Sequence, residues 1–161
     1  MVKAGILKVV IKKPGMKARL KTKITIAADA ANIFKYLSHT KYQPLWNMQM
    51  KSATPLVQLH EGSVYKVQLQ VLGVRTKAEN HITKYVQDKE LEIQNMTGMI
   101  QYSSNFRLEP QAKGTRVICT ISVSSQSKAF AFAKPMMEHL ARRELNIDLK
   151  ALKKVVEQAL E

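Results

Sequence analysis

The chain has 161 residues, enough for one sizeable core, and its apolar (45%) and charged (24%) fractions argue against global disorder. The balance is strongly basic: 26 Lys and Arg against 12 Asp and Glu give a formal charge of +14, which favours anionic partners such as nucleic acid, acidic lipid headgroups or an acidic protein. A single cysteine, Cys119, excludes an internal disulfide framework and a cysteine zinc cluster.

Residues 1–28 hold eight Lys or Arg and no acid; the first carboxylate is Asp29. The apolar run from Gly5 to Ile11 is interrupted by Lys8 and is too short for a signal-peptide core. No stretch approaches the roughly eighteen apolar residues of a membrane span. A soluble, cytoplasmic protein is expected. Residues 1–15 read as a basic arm or, given the turn signal Pro14-Gly15, as an extra strand over Leu7 to Lys12; residues 16–161 read as one domain.

From Lys17 the pattern has period two. Ala18, Leu20, Thr22, Ile24 and Ile26 alternate with Lys17, Arg19, Lys21, Lys23 and Thr25, which predicts a strand with one buried and one basic face. Asp29 is placed to cap a short helix whose apolar face is Ile33, Phe34 and Leu37. Residues 39–50 read as irregular. Strand patterns follow: Tyr65, Val67, Leu69 and Val71; Leu91 and Ile93; Tyr102, Ser104, Phe106 and Leu108; and, after Gly114, Val117, Cys119, Ile121 and Val123. The run 74–86 is strand-like with ambiguous facing, and Ala78, Asn80 and Ile82 are taken as its inner side. The period then changes. Met137, Leu140, Ala141, Leu145, Leu149, Leu152, Val156 and Ala159 recur at three- and four-residue steps, predicting a long helix with Pro135 in its first turn.

Segregated strands and helices imply an α+β sheet of six to seven antiparallel strands, curved around one long C-terminal helix, with one or two short helices after the first strand. One helix cannot cover such a sheet unless the sheet curls, and curling leaves an apolar space between them. Facing predicts that Trp46, Tyr65, Asn80, Tyr102, Ser104 and Phe106 line it opposite Met137, Leu140 and Ala141.

The order of these segments resembles a known family. Ile26-x-Ala28, Ile33-Phe34-x-x-Leu37 and Trp46 are similar to the opening of the START-like superfamily, in its polyketide cyclase/dehydrase and lipid-transport branch, which includes coenzyme-Q-binding proteins. Phe106-x-Leu108-Glu109-Pro110 and Gly114-Thr115-Arg116-Val117 resemble its last two strands. Glu144-Leu145 through Leu149-x-x-Leu152-Lys153 resembles its closing helix. The resemblance covers roughly residues 16–160 and implies a helix-grip fold with a cavity for a hydrophobic molecule.

Each candidate residue has two readings. Trp46 either anchors a loop in the core or offers an indole to a ligand. Tyr65, Tyr102 and Phe106 are core residues or pocket lining; buried phenols need partners, which Asn80, Ser104 or a ligand supply. The methionines suit an adaptable cavity or an ordinary core. His39, His60, His81 and His139 lack metal-ligand spacing, so neither metal nor cofactor is expected. Cys119 reads as an inert packed thiol. Lys17, Arg19, Lys21 and Lys23 form a solvated edge or an anion-binding stripe. Binding or transport of a hydrophobic small molecule (lipid, isoprenoid or polyketide-like) is the leading expectation. A cyclase/aromatase-type enzyme and a protein associating with RNA, the ribosome or an anionic membrane through its basic strand are the alternatives. No catalytic constellation stands out.

Overall fold

A computed structural model describes residues 16–56, 58–71, 74–97, 100–125, 128 and 132–161. The arm or extra strand expected over residues 1–15 lies outside them. The chain runs β1 (Met16–Ile26), α1 (Ala30–Ser38), α2 (Gln43–Trp46), β2 (Met50–Ala53), β3 (Val64–Val71), β4 (Val74–Val86), β5 (Glu90–Asn95), β6 (Ile100–Gln111), β7 (Gly114–Ser125) and α3 (Lys134–Gln158). The seven strands form one antiparallel sheet in the order β1-β7-β6-β5-β4-β3-β2. Strands β2 to β7 are a meander, whereas β1 pairs with the last strand. Helices α1 and α2 therefore carry the chain from one edge of the sheet to the other. With α3 packed across the curled sheet, this is the helix-grip α+β architecture.

Local chemistry explains the elements. In β1, Ala18, Leu20 and Ile26 are buried while Arg19, Lys21 and Lys23 face solvent, as the alternation requires. The Asp29 carboxylate accepts from Asn32 N–H at 2.8 Å, satisfying one of the free donors at the start of α1, and Ile33, Phe34 and Leu37 are buried. The segment read as irregular contains α2, a single turn with Pro44 near its start, and runs into β2; both are four residues long. Elements that short leave no measurable period. Gly114 opens β7 at φ +94°, and any Cβ there would collide with the Ile26 carbonyl. Pro135 falls in the first turn of α3, where its missing N–H costs nothing.

Strand β4 explains its own ambiguity. A bulge between Ile82 and Lys84 in the pairing with β5 changes the parity of the strand. Before it, Ala78, Asn80 and Ile82 are buried; after it, Tyr85 turns inward and meets Phe34 edge to face at 5.2 Å. The core is continuous: Ile26, Ile33, Leu37, Leu91, Val117, Cys119, Leu152 and Val156 are wholly out of water.

Candidate functional site

The space between α3 and the sheet has two unlike halves. Along the C-terminal half of α3, Leu145, Leu149, Leu152 and Val156 close on Ile26, Leu108, Val117 and Cys119, and all are buried. Along its N-terminal half, Met137, Leu140 and Ala141 are only half-buried. The inner-face residues further along β6 and β7 are half-buried too: Tyr102 pairs with Val123, and Ser104 with Ile121. Alternation places these side chains on the sheet face that α3 covers, and this less completely buried end of the helix–sheet space is called the cleft below.

The cleft has a polar floor built from one row of the sheet, Tyr65 beside Asn80 and Asn95 beside Tyr102. The hydroxyl of Tyr102 donates to Asn80 Oδ1 at 2.7 Å. The Asn80 amide donates to the Tyr65 hydroxyl at 3.4 Å, and that hydroxyl donates to Gln43 Oε1 at 2.9 Å. Gln43 Nε2 finishes the relay on the Leu37 carbonyl at 2.9 Å. Gln43, Asn80 and Tyr65 are 1%, 2% and 2% exposed, so the relay runs from the core to the half-open Tyr102. Burial pushes both phenols above the ordinary tyrosine range, against the opposing effect of their amide hydrogen bonds, so both remain neutral donors at physiological pH. Among the described residues no buried side-chain polar atom lacks a partner.

The remaining expected residues separate. Trp46 is buried, donates its indole N–H to the Tyr36 carbonyl at 2.9 Å and packs edge to face on Phe106 at 5.6 Å. Both rings belong to the core cluster beside the cleft. Ser104 lies on the same face, two pairs along from Tyr102.

Gln43 and Asp148, besides Asn95, escaped the sequence reading. Gln43 gave no signal, because a one-turn helix has no periodic face. Asp148 did give one: it stands three residues after Leu145 and four before Leu152, on the apolar side of α3. Its Oδ1 accepts from Met48 N–H at 3.0 Å, tying α3 to the segment after α2. Burial, helped by the nearby Glu144 charge and opposed by the Met48 hydrogen bond, pushes its pKa up to about 7. Burial also pushes the Cys119 thiol up, with the charge of Asp148 adding to it, which suits an unreactive packed sulfur.

The basic stripe lies on the opposite side of the sheet. Arg19 and Lys21, with Arg107, Ser103, Asn105, Thr120 and Ser122, line a polar groove of about 310 Å³ that also holds Glu92. Lys23 is exposed next along β1, while the side chain of Lys17 lies outside what is described. A second outer groove of about 550 Å³ crosses β2, β3 and β4 past Lys66, Gln68 and Lys77. His81 pairs with Glu79 at 3.0 Å, away from the inner row of β4. Among the described residues, no three His, Cys, Asp or Glu group as a metal site would need, and no helix is long and apolar enough to cross a membrane.

Comparison with known proteins places this geometry. Comparison with curated proteins found no match. Among solved structures, a START superfamily protein from Mycobacterium smegmatis superposes with a TM-score of 0.75 at 19% identity, over 88% of this chain and 98% of that one. The Zhui aromatase/cyclase from Streptomyces sp. R1128 superposes at 0.76 and 14% identity, over 91% and 97%. The di-domain aromatase/cyclase StfQ of the steffimycin biosynthetic pathway gives 0.75 at 8% identity, over 91% of this chain and 53% of that one. At such identities these likenesses show the fold. The family itself follows from sequence: a model described as polyketide cyclase/dehydrase and lipid transport matches residues 17–157, nearly the whole described domain, and the chain belongs to that family.

Proposed function

We propose that the protein binds a hydrophobic small molecule, of lipid, isoprenoid or polyketide-like character, in the cleft between the N-terminal half of α3 and the inner face of β6 and β7. The observation that carries this reading is the incomplete burial of Met137, Leu140, Ala141, Ile121 and Val123, which continue the apolar rows buried at the other end of α3 and β7. Apolar side chains that face inward and still touch solvent gain free energy when an apolar guest displaces that water, by about 25 cal/mol per Å² covered. Tyr102, anchored by Asn80, stands at the polar end of the cleft and suits a carbonyl or hydroxyl on the guest. Native mass spectrometry before and after organic extraction, with a thermal-shift panel of lipids, isoprenoid quinones and aromatic polyketides, tests it. A bound mass and stabilisation by one class are expected. No adduct and no stabilisation by any class would sink the reading.

A cyclase/aromatase activity is the second reading. It is favoured by the fold likeness to two such proteins and by a phenol held to polarise a carbonyl. If it is right, Tyr102→Phe abolishes turnover of a polyketide substrate while ligand binding survives.

A further inference from the structure

We infer that the end of the molecule where α3 begins is a docking surface for an anionic lipid bilayer, with Phe132 and Met136 entering the headgroup–acyl boundary and the surrounding cations resting on the headgroups. Phe132 is 93% exposed and Met136 59%. A single exposed apolar residue is unremarkable, but a bare phenyl ring just before α3 and a bare thioether in its first turn make an apolar tip. Within α3, Met136, His139 and Arg143 follow at three- and four-residue steps and are all exposed. Around the tip stand Lys128, Lys134, Arg142 and Arg143. Of these, only Lys134 meets a carboxylate among the described residues, Glu138 at 3.7 Å. Apolar tips flanked by an excess of cations are the pattern by which proteins lie on acidic membranes, where area and headgroup charge act together.

The position matters as much as the composition. Met16 at the start of β1 pairs with Ser125 at the end of β7, so the first strand begins at this same end. The half-buried Tyr102, Val123, Met137 and Leu140 lie toward this end as well, so a bilayer held here meets the open half of the cleft. If the cleft takes a hydrophobic ligand, as proposed above, its exchange with the membrane then needs no passage through water; the docking itself is measurable without that ligand. Other occupants fit less well. A second copy carries the same +14 charge and is repelled, and a nucleic acid gains nothing from a methionine tip and finds one aromatic ring rather than a stacking platform.

Co-sedimentation of the full chain with phosphatidylcholine vesicles, and with mixed phosphatidylcholine–phosphatidylserine vesicles, decides it. The wild type is expected on the mixed vesicles only. Phe132→Ser with Met136→Ser should weaken that binding on the order of tenfold without altering the fold, since both side chains stand in water. Arg142→Glu with Arg143→Glu should weaken it and flatten its salt dependence. Absence of vesicle binding, or equal binding by wild type and the Ser double variant, overturns the proposal. So does loss of RNA retention or of self-association in these variants with no vesicle binding at any stage. Thermal shift without vesicles keeps the two readings apart: the Ser double variant should retain ligand stabilisation. Vesicle binding by a protein that takes no ligand would leave the docking standing and remove the cleft's proposed role.

Discussion

The two halves of α3 lie over the same sheet, yet one half is shut and the other only half-buried. In the shut half, branched or bulky side chains oppose one another: Leu149 and Leu152 against Val117, Cys119 and Leu108. In the open half Leu140, Ile121 and Val123 share the space with smaller, more flexible or polar residues, Ala141, Met137, Ser104 and Tyr102. Interiors close only where facing volumes fill the gap to near-crystalline density. Stability is thus concentrated at one end of the helix. The polar row supports that division, because its buried members are hydrogen-bonded to each other and only Tyr102 reaches water.

The strongest way to break this comparison is to shave one leucine from each half. Leu149→Ala should cost about 2–5 kcal/mol, whereas Leu140→Ala, already touching solvent, should cost under about 1 kcal/mol. Thermal denaturation reads the first as a fall of roughly 5–15 °C. Similar losses at the two sites would mean that the open half is closed in solution. A smaller effect tests the relay. Tyr65→Phe leaves Gln43 Oε1 and the Asn80 amide without their buried partner and should cost about 1–3 kcal/mol in urea unfolding. Tyr102→Phe should cost less, since water reaches Asn80 Oδ1 through the cleft. The reverse ranking would place the open half elsewhere.

The subtlest effect is pH dependence through Asp148, which links the shut half to the segment after α2. Its pKa rises from 3.8 in the unfolded chain to about 7 in the folded one. Between those values the native state holds the extra proton, so this residue's contribution to stability declines as pH rises through that window and stays low above it. Asp148→Asn should therefore gain on the order of 1 kcal/mol at pH 8, roughly 2–4 °C, and almost nothing near pH 4. A gain that is the same at both pH values would show that Asp148 titrates normally and that only the Met48 hydrogen bond matters.

Much of the architecture was legible from period alone. The alternation over β1, β3, β5, β6 and β7 and the three-four stepping of α3 survive as the buried faces, because each element is long enough for burial to select one side repeatedly. Three features were not legible, for distinct reasons. Strand β2 and helix α2 are too short for a period. In β4 a one-residue bulge reverses the facing midway, so no single parity fits Ala78, Asn80, Ile82 and Tyr85 together. For the site, the sequence supplied Tyr65, Asn80 and Tyr102 as inward-facing groups but not the bonds among them. Those bonds depend on register across β3, β4, β5 and β6, and on a glutamine that α2 delivers from the far edge of the sheet.

By itself, then, the sequence determined which faces are apolar, where the long helix lies and that the positive charge sits outside the core, since these follow from local order along the chain. Tertiary structure alone decided that Trp46 spends its N–H on the Tyr36 carbonyl, that Asp148 is drawn out of water against Met48, and that the side chains between α3 and the sheet are buried at one end and half-buried at the other. Each is a matter of which distant atoms arrive at hydrogen-bond or van der Waals distance, and no local pattern encodes that.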